Sequence, residues 1–304
     1  MDHKNNQPFI YKRDNQLTFR IIFSFAALTI LYLIFLSVLY YFGVGFLPLM
    51  MIAGIMILAQ WYFSDRIVLW SSGAKLVSKE QYPQLHEMVE MLSKRGNLPK
   101  PKVAVMNTNI PNAFATGKSH NSSLVAVTTG LMRILDKEEL EGVVAHELAH
   151  IKNRDVTVLT LASLFSTVAW YLAQYSFFGS MYGGRGYGGS RGNSSGGIFI
   201  ILLIAIVTWI VSFIIIRAIS RYREFSADRG GAQLTGKPMK LAQALLKISG
   251  SMKEVNQKDL RSVQSLNAFF IIPAISGKSI SKLFSTHPPI EKRIERLQEM
   301  ERSL

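Results

Sequence analysis

Four long apolar segments constrain this 304-residue chain more than any other feature of its sequence. They cover residues 21–41, 46–63, 156–178 and 198–216. Each is close to the roughly 20 residues that a helix needs to cross the hydrocarbon core of a bilayer. Because backbone polar groups must be satisfied internally in lipid, we expect helices, paired as two hairpins. The pattern predicts a mainly α membrane protein with four transmembrane helices.

The composition agrees with a membrane protein, since 49% of the residues are hydrophobic and only 18% are charged. The net charge of +14 could suggest nucleic-acid binding. However, Lys and Arg are scattered without an aromatic-basic recognition motif, and basic flanks are typical of the cytoplasmic ends of spans. We therefore expect the lipid bilayer as a partner and no nucleic acid. The chain has no cysteine, so a metal would be held by His, Asp or Glu.

The distribution of Lys and Arg predicts the orientation in a plasma or inner membrane. The tail of residues 1–20 carries four basic residues, whereas the loop of the hairpin at 21–63 carries none. The glycine-rich loop at 179–197, inside the second hairpin at 156–216, has only two. We predict that both termini and the two soluble parts of the chain, residues 64–155 and 217–304, lie in the cytoplasm.

The two soluble parts show patterns of an α+β domain. Strands are predicted at Lys102–Asn107 and Ser123–Thr129, with Gly117 and Asn121 in the turn between them. A helix is predicted from Asp136, which with Glu139 forms a capping-box arrangement. Further helices are expected at Pro83–Arg95 (ended by Gly96), Pro238–Lys253 and Pro289–Glu301. The domain should contain a small sheet.

The helix after Asp136 contains His146-Glu147-Leu148-Ala149-His150. Residues four apart share one face of a helix, so both imidazoles can reach one metal ion. Glu147 is turned about 100° away, near enough to act on a water molecule beside the metal. An alternative is a pair of surface histidines. The flanking residues are apolar on nearly every side, and an unligated buried pair would be costly, so we favour the metal site.

Catalytic zinc usually takes three protein ligands and leaves one position open. Glu224 and Asp228 lie one helical turn apart, so one carboxylate can bind the metal while the other holds a histidine N–H. Alternatively, Glu224 pairs with Arg217 or Arg221 on a solvated helix face. Two predicted spans separate His150 from Glu224 and return the chain to the same membrane side. This placement, within roughly 10 Å of one interface at the helical rise, favours Glu224 as a ligand.

Several motifs, in this order along the chain, resemble those of the HtpX family, which are membrane-bound zinc endopeptidases related to the CAAX prenyl endopeptidases. They are Asn112-Ala113-Phe114, the run from His146 to Asp155, the run from Arg223 to Asp228, and His287-Pro288-Pro289.

The resemblance implies a zincin-like metalloprotease domain that binds one Zn²⁺ per subunit through His146, His150 and Glu224. Glu147 would then be the general base and later the general acid. Asp228 would orient a ligand histidine.

The resemblance also implies a substrate site and a substrate class. Asn112, Ala113 and Phe114 would form an edge segment along which the substrate lies as an added strand. His287 would steady an oxyanion or shield the metal; equally, His-Pro-Pro is a turn that opens the last helix. Misfolded or damaged membrane proteins would be cleaved at the cytoplasmic face, in quality control and stress response.

Two other functions compete with this interpretation. A prenyl-protein processing enzyme would use the same chemistry, but the CAAX enzymes have more than four spans. A catalytically silent membrane scaffold or transporter would retain only the fold. The intact set of His146, Glu147, His150 and Glu224 argues against it, as do spans without charged residues.

Overall fold

The structure is a computed structural model of the full chain. It describes residues 15–41, 51, 54–55, 58–59, 61–63, 69–70, 72–158, 160, 170, 174, 195–254 and 287–303. Its main elements, in chain order, are α1 (Asn15–Tyr41), β1 (Lys75–Leu76), α2 (Pro83–Arg95), β2 (Lys102–Met106), β3 (Ala113–Ser119), β4 (Ser122–Thr128), α3 (Thr129–Ile134), α4 (Lys137–Lys152), α5 (Ser195–Thr235), α6 (Pro238–Glu254) and α7 (Ile290–Ser303).

The chain divides into two compact units. The first, here called the apolar unit, comprises Phe19–Trp61 and Val158–Ile219. The second, here called the sheet unit, comprises Met1–Thr18, Tyr62–Thr157 and Ser220–Leu304. Both predicted soluble parts of the chain thus contribute to the same unit.

The apolar unit has an outer surface of large hydrophobic side chains. Phe19 and Phe23 of α1 are 67% and 65% exposed, and Leu203 of α5 is 54% exposed. Such a surface is unfavourable in water and suits lipid, so the chain is a membrane protein. In the described part of the chain, two helical segments are long and apolar enough to cross a bilayer, Asn15–Val38 and Leu202–Thr235.

The other two predicted spans, at 46–63 and 156–178, lie mostly outside the described residues. So do most of the tail at 1–20 and most of the glycine-rich loop at 179–197. The four-span arrangement therefore stays a prediction.

Helix α5 differs from its prediction, which ended the apolar segment at Ile216 and placed a separate soluble part after it. The helix instead continues unbroken to Thr235, over 41 residues. The sequence from Arg217 to Asp228 contains neither glycine nor proline, so nothing interrupts the hydrogen-bond ladder. Glu224 and Asp228 consequently lie on the continuation of the apolar helix.

The sheet unit contains a four-stranded sheet in the order β1-β2-β4-β3. Strand β2 runs parallel to β4, whereas β1 and β3 run antiparallel to their neighbours. The predicted strands at 102–107 and 123–129 are confirmed as β2 and β4, each within one residue at either end. Strand β3 lies at one edge of the sheet.

The structure shows a further strand, β3, in part of the segment that was predicted as a turn. Gly117 lies inside the strand, at a register shift between Gly117 and Ser119, and the turn falls at His120 and Asn121. The φ of Gly117 is 139°, and a Cβ at this position would lie only 2.2 Å from the Ser122 carbonyl oxygen. Both features explain why glycine is needed there. The short β1 was not predicted either, because two residues carry no periodic signal.

The two faces of the sheet are buried by different parts of the unit. One face packs into the main core with α2, α4 and α6; its central residues are Val103, Val105, Val125 and Val127. The other face carries a smaller cluster in which Phe114, Leu124 and Ala126 pack with Ala74. Helix α4 lies within the main core, and its residues Val143, Val144 and Leu148 are fully buried.

The ends of α4 and α2 show how the sequence sets helix boundaries. The capping box at Asp136 and Glu139 is confirmed, with both reciprocal hydrogen bonds at 2.8 Å. Helix α2 matches its predicted bounds, but Gly96 is not its left-handed residue. That conformation belongs to Asn97 (φ 50°), and the Leu98 N–H closes a Schellman motif on the Ser93 carbonyl at 2.9 Å. Helices α6 and α7 are confirmed within one or two residues.

Candidate metal centre

Helix α4 brings two imidazoles together inside the sheet unit. The Nε2 atoms of His146 and His150 lie 3.1 Å apart, with the rings nearly perpendicular at 89°. His146 is 1% exposed. Two N–H groups cannot face each other at that distance, so at least one nitrogen presents its lone pair. Burial lowers the pKa of His146, which favours the neutral form that a metal ligand needs.

Glu224 of α5 completes a triangle of ligand atoms. Its Oε1 lies 3.5 Å from His150 Nε2 and its Oε2 lies 3.7 Å from His146 Nε2. Ligand atoms of all three residues lie within 4.8 Å of one another. A tetrahedral zinc site with Zn–N distances of about 2.0–2.1 Å has neighbouring ligand atoms about 3.3 Å apart. The three residues therefore fit one metal ion.

Gly231 allows α5 to approach α4 this closely. A Cβ at that position would lie 2.8 Å from the backbone nitrogen of His146 and 3.0 Å from its Cα. Gly231 lies about two turns beyond Glu224, on the same face of α5. Its role was not predicted; the signal available was a glycine seven residues after Glu224, on the same face of the helix.

His150 is held by a chain of charged groups. Its Nδ1 contacts Asp155, whose other carboxylate oxygen lies 3.0 Å from Arg223 Nε. Burial alone lowers the pKa of His150, but Asp155 and the charge of Glu224 outweigh it, so the net shift is upward. From the sequence alone, Asp155 could equally cap α4 or link it to the following apolar segment. The structure instead places it as the carboxylate that orients His150.

His146 is held in the same way from another direction. Its Nδ1 lies 3.0 Å from Asp228 Oδ1, so Asp228 occupies the orienting position predicted for it. Arg293 of α7 donates two hydrogen bonds to Asp228, of 2.8 Å and 2.6 Å. Arg293 is 1% exposed, the largest fully buried side chain described. A local pairing of Arg293 beside the His-Pro-Pro turn, which the sequence alone would suggest, is thus wrong.

Glu147 lies one residue from the first ligand and is 4% exposed. Burial raises the pKa of its carboxyl to about 8. The backbone N–H of Ala115 in the edge strand β3 hydrogen-bonds to this carboxylate. Glu147 is thus a buried proton carrier positioned between the ligand histidines and the edge strand.

His287 belongs to the centre, because its Nδ1 lies 3.0 Å from Glu224 Oε2. The same glutamate oxygen lies 3.7 Å from Arg293 Nη1, so one oxygen of Glu224 is directed at His287 and Arg293 while Oε1 faces His150. The residue also precedes α7, as a helix-opening turn would require. Its contact with Glu224 fits either predicted role.

The predicted substrate residues lie at and just before the start of β3. The backbone N–H of Asn112 donates to Thr128 Oγ1 at 2.9 Å, which anchors the start of the strand. Ala113 and Phe114 are the first residues of β3, and both side chains are buried. What the strand offers beside Glu147 is therefore its backbone.

Buried carboxyl groups outnumber buried guanidinium groups at this centre. Four carboxyl groups and two guanidinium groups are buried here; they belong to Glu147, Asp155, Arg223, Glu224, Asp228 and Arg293. This excess of carboxyl groups beside the two histidines suits a bound cation, because buried charges without compensation are costly.

A helix carrying two histidines and a buried glutamate, with a third ligand from a second helix, defines a metallopeptidase centre. The profile of Peptidase family M48 matches residues 79–301, and the chain belongs to that family. It is 52% identical over 295 residues to Protease HtpX homolog 2 of Methanosarcina mazei, covering 97% of this chain and 98% of that protein. A Protease HtpX homolog of Moorella thermoacetica is 50% identical over 291 residues, covering 96% of each chain.

Among solved structures, the crystal structure of S. mikatae Ste24p has the same fold, with a TM-score of 0.56 at 19% identity. The match covers 93% of this chain and 67% of that one. The family and the relatives make this chain an HtpX-type metalloendopeptidase. The resemblance drawn from the motifs is confirmed.

Proposed function

We propose that this chain is a zinc-dependent endopeptidase that cleaves misfolded or damaged membrane proteins at the cytoplasmic face of the membrane. The observation that carries the proposal is the convergence of His146, His150 and Glu224 next to Glu147 and the edge strand β3. Zinc bound by these ligands would supply a Lewis acid for the scissile carbonyl and lower the pKa of a water molecule toward neutrality.

Glu147 would carry the proton of the reaction. A carboxyl with a pKa near 8 in the metal-free centre holds a proton readily, and a nearby divalent cation would favour its ionised form. Its carboxylate would accept a proton from the attacking water and then deliver one to the leaving amine. The Ala115 N–H fixes the carboxylate for this transfer.

The edge strand β3 would hold the substrate backbone. No further strand pairs with β3 in the described part of the chain, so its outer backbone groups, apart from the Ala115 N–H that binds Glu147, are available for a strand added by the substrate. Backbone pairing discriminates weakly between sequences, which suits an enzyme that removes damaged proteins of many kinds. Asn112, Ala113 and Phe114 would begin the pairing.

The membrane arrangement we propose has four spans with both termini in the cytoplasm. Two observations support it: the two soluble parts of the chain form one compact unit, and the ligand Glu224 lies on the same helix as an apolar segment. A centre formed from elements on both sides of a predicted transmembrane hairpin requires that hairpin to return to its starting side.

The test uses purified protein in detergent with a model membrane substrate. Glu147→Gln should keep the metal and lose cleavage by at least about 10²-fold, since only the proton carrier is removed. Glu224→Gln should lower the zinc content measured by metal analysis, because a ligand charge is lost. Glu87→Gln, an exposed glutamate on α2, is the matched control and should change neither.

Cleavage by Glu147→Gln at the wild-type rate would show that the mechanism is wrong. Unchanged zinc content in Glu224→Gln would remove that residue as a ligand. Efficient processing of a prenylated peptide, with no cleavage of the unprenylated form or of membrane proteins, would replace the proposed substrate class.

A further inference from the structure

A small cleft beside the metal centre is not used by the proposed chemistry. It is lined by the second half of β3, from Ala115 to Ser119, and by the end of α4 with the residues that follow it, including His150 and Arg154. One end of the cleft therefore touches a metal ligand, and its wall is the strand proposed to bind substrate. A side chain of a substrate paired along β3 would lie over its mouth.

Two cations line this cleft, Lys118 from β3 and Arg154 from the end of α4. The carboxylate on the wall, Asp155, is already engaged by His150 and Arg223. The unbalanced charge in the cleft is therefore the positive charge of Lys118 and Arg154.

The backbone conformation of Arg154 is unfavourable for a residue other than glycine. Arg154 follows the C-cap of α4 with φ 55°, in the left-handed region where glycine is the residue most commonly found. In the described part of the chain this arginine is exposed and makes no ion pair. Its backbone N–H donates to the Ile151 carbonyl at 3.0 Å, but the guanidinium makes no ion pair within the described residues, which is consistent with a role outside the chain.

Lys118 is held toward the same cleft. It is half-buried, and its Nζ lies 3.4 Å above the ring of Tyr62, a cation–π contact that restricts the side chain while retaining its charge. The register shift at Gly117 and Ser119 brackets the residue, and irregularities of this kind re-aim a side chain. Lys118 lies three residues from Ala115, about 10 Å along an extended strand.

We propose that Lys118 and Arg154 form a specificity subsite that selects an acidic side chain about two or three residues from the scissile bond. The proposal rests on the proposed function, since it needs a substrate strand along β3. It adds a charge preference to binding that is otherwise tolerant of sequence. The selection acts on one side of the scissile bond only, the side that pairs with residues 116–119.

The test compares matched peptides that carry Glu or Gln at each position within three residues of the scissile bond. Wild-type enzyme should favour Glu at one position by about threefold to tenfold in kcat/KM, and the preference should shrink as salt is raised. In Lys118→Gln/Arg154→Gly the ratio should fall to about one. Arg154→Gly places glycine at a left-handed position, so misfolding does not explain a lost preference.

The matched control is Lys75→Gln, an exposed lysine on β1 at the opposite edge of the sheet, which should keep the wild-type ratio. Charge reversal gives a sharper result, because Lys118→Glu should shift the preference from Glu toward Lys at the same position. The same peptides are also titrated against Glu147→Gln, so that binding is measured without turnover.

The outcomes separate the subsite from the proposed function. Peptides that are cleaved with equal efficiency, or a Glu preference that survives the double substitution, would overturn the subsite and leave the peptidase. A Glu preference in binding, with no cleavage by the wild type, would retain the subsite and overturn the peptidase. No Glu preference with or without lipid, together with tighter binding to anionic than to neutral micelles that the double substitution abolishes, would assign the two cations to lipid headgroups and also overturn the subsite.

Discussion

At the scale of residues, each ligand histidine is held by a carboxylate that is in turn held by an arginine. His150, Asp155 and Arg223 form one such chain. His146 is held equivalently by Asp228 and Arg293. A fixed Nδ1 partner sets which ring nitrogen faces the metal and increases the basicity of that nitrogen, so these residues should act on metal affinity.

Substitution of the two aspartates tests this. Asp155→Asn and Asp228→Asn should each weaken zinc binding about 10- to 100-fold, because an amide is a weaker partner for the imidazole. Each should also lower the unfolding free energy, since Arg223 or Arg293 loses a buried counter-charge. Competition with a chelator measures the affinity, and thermal unfolding of the metal-free protein measures the stability.

Asp136→Asn is the control for these variants. It makes the same chemical change at the N-cap of α4, where asparagine caps about as well as aspartate, and should affect neither quantity. Wild-type zinc affinity in Asp155→Asn would show that the residue only links α4 to the following segment.

At the scale of elements, the centre depends on how α4 and α5 pack. Gly231 lets the α5 backbone reach the backbone of His146, and Asn153 Nδ2 donates to Ser226 Oγ at 3.3 Å near the end of α4. Two of the three ligands come from α4 and the third from α5, so the distance between the helices sets the ligand triangle.

Gly231→Ala should separate the two helices at this point. The added methyl would meet backbone atoms, which cannot move aside as a side chain does, so we expect a loss of about 1–3 kcal/mol in unfolding free energy. Zinc affinity should fall by about tenfold or more as Glu224 moves away from the histidines. Both quantities are measured as for the aspartate variants.

The matched control is Gly250→Ala in α6, where a Cβ meets nothing within 4 Å. This variant should be stabilised by about 0.5–1 kcal/mol, as alanine is preferred over glycine in a helix interior. A Gly231→Ala protein with wild-type zinc affinity would show that the close contact does not position the ligands.

At the scale of the whole molecule, the absence of cysteine allows the proposed topology to be tested residue by residue. Single substitutions Lys79→Cys and Glu301→Cys should react with a membrane-impermeant maleimide only after cells are permeabilised. Ser190→Cys, in the glycine-rich loop, should react in intact cells. Labelling of Glu301→Cys in intact cells would place the C-terminus outside and contradict the proposed orientation.

Much of the architecture could be predicted because it depends on local patterns. The capping box at Asp136, the bounds of α2 and the strands β2 and β4 follow from capping, periodicity and β-propensity within a few residues. Strand β3 was expected only as the edge segment Asn112–Phe114 that the resemblance implied, because Ala113–Ser119 lacks alternation and contains a glycine that favours a turn. Its strand conformation comes from pairing with β4.

The candidate centre also has one set of residues that the sequence could predict and another that it could not. His146, Glu147 and His150 could be recognised from spacing on one helix, and Glu224 from its relation to the apolar segments. Arg293 and Gly231 could not be assigned, because their partners lie far away in sequence and neither forms a local motif with them. The cation pair of Lys118 and Arg154 is likewise formed by two elements distant in sequence.

The sequence alone determined the membrane character, the metal-binding helix and the chemistry of the ligands, since apolar length, helical period and side-chain type act locally. Only the tertiary structure decided which carboxylate orients each histidine, that two buried arginines compensate those carboxylates, and that an edge strand lies beside Glu147. These features depend on distances between elements, and such distances are set by packing at positions such as Gly231.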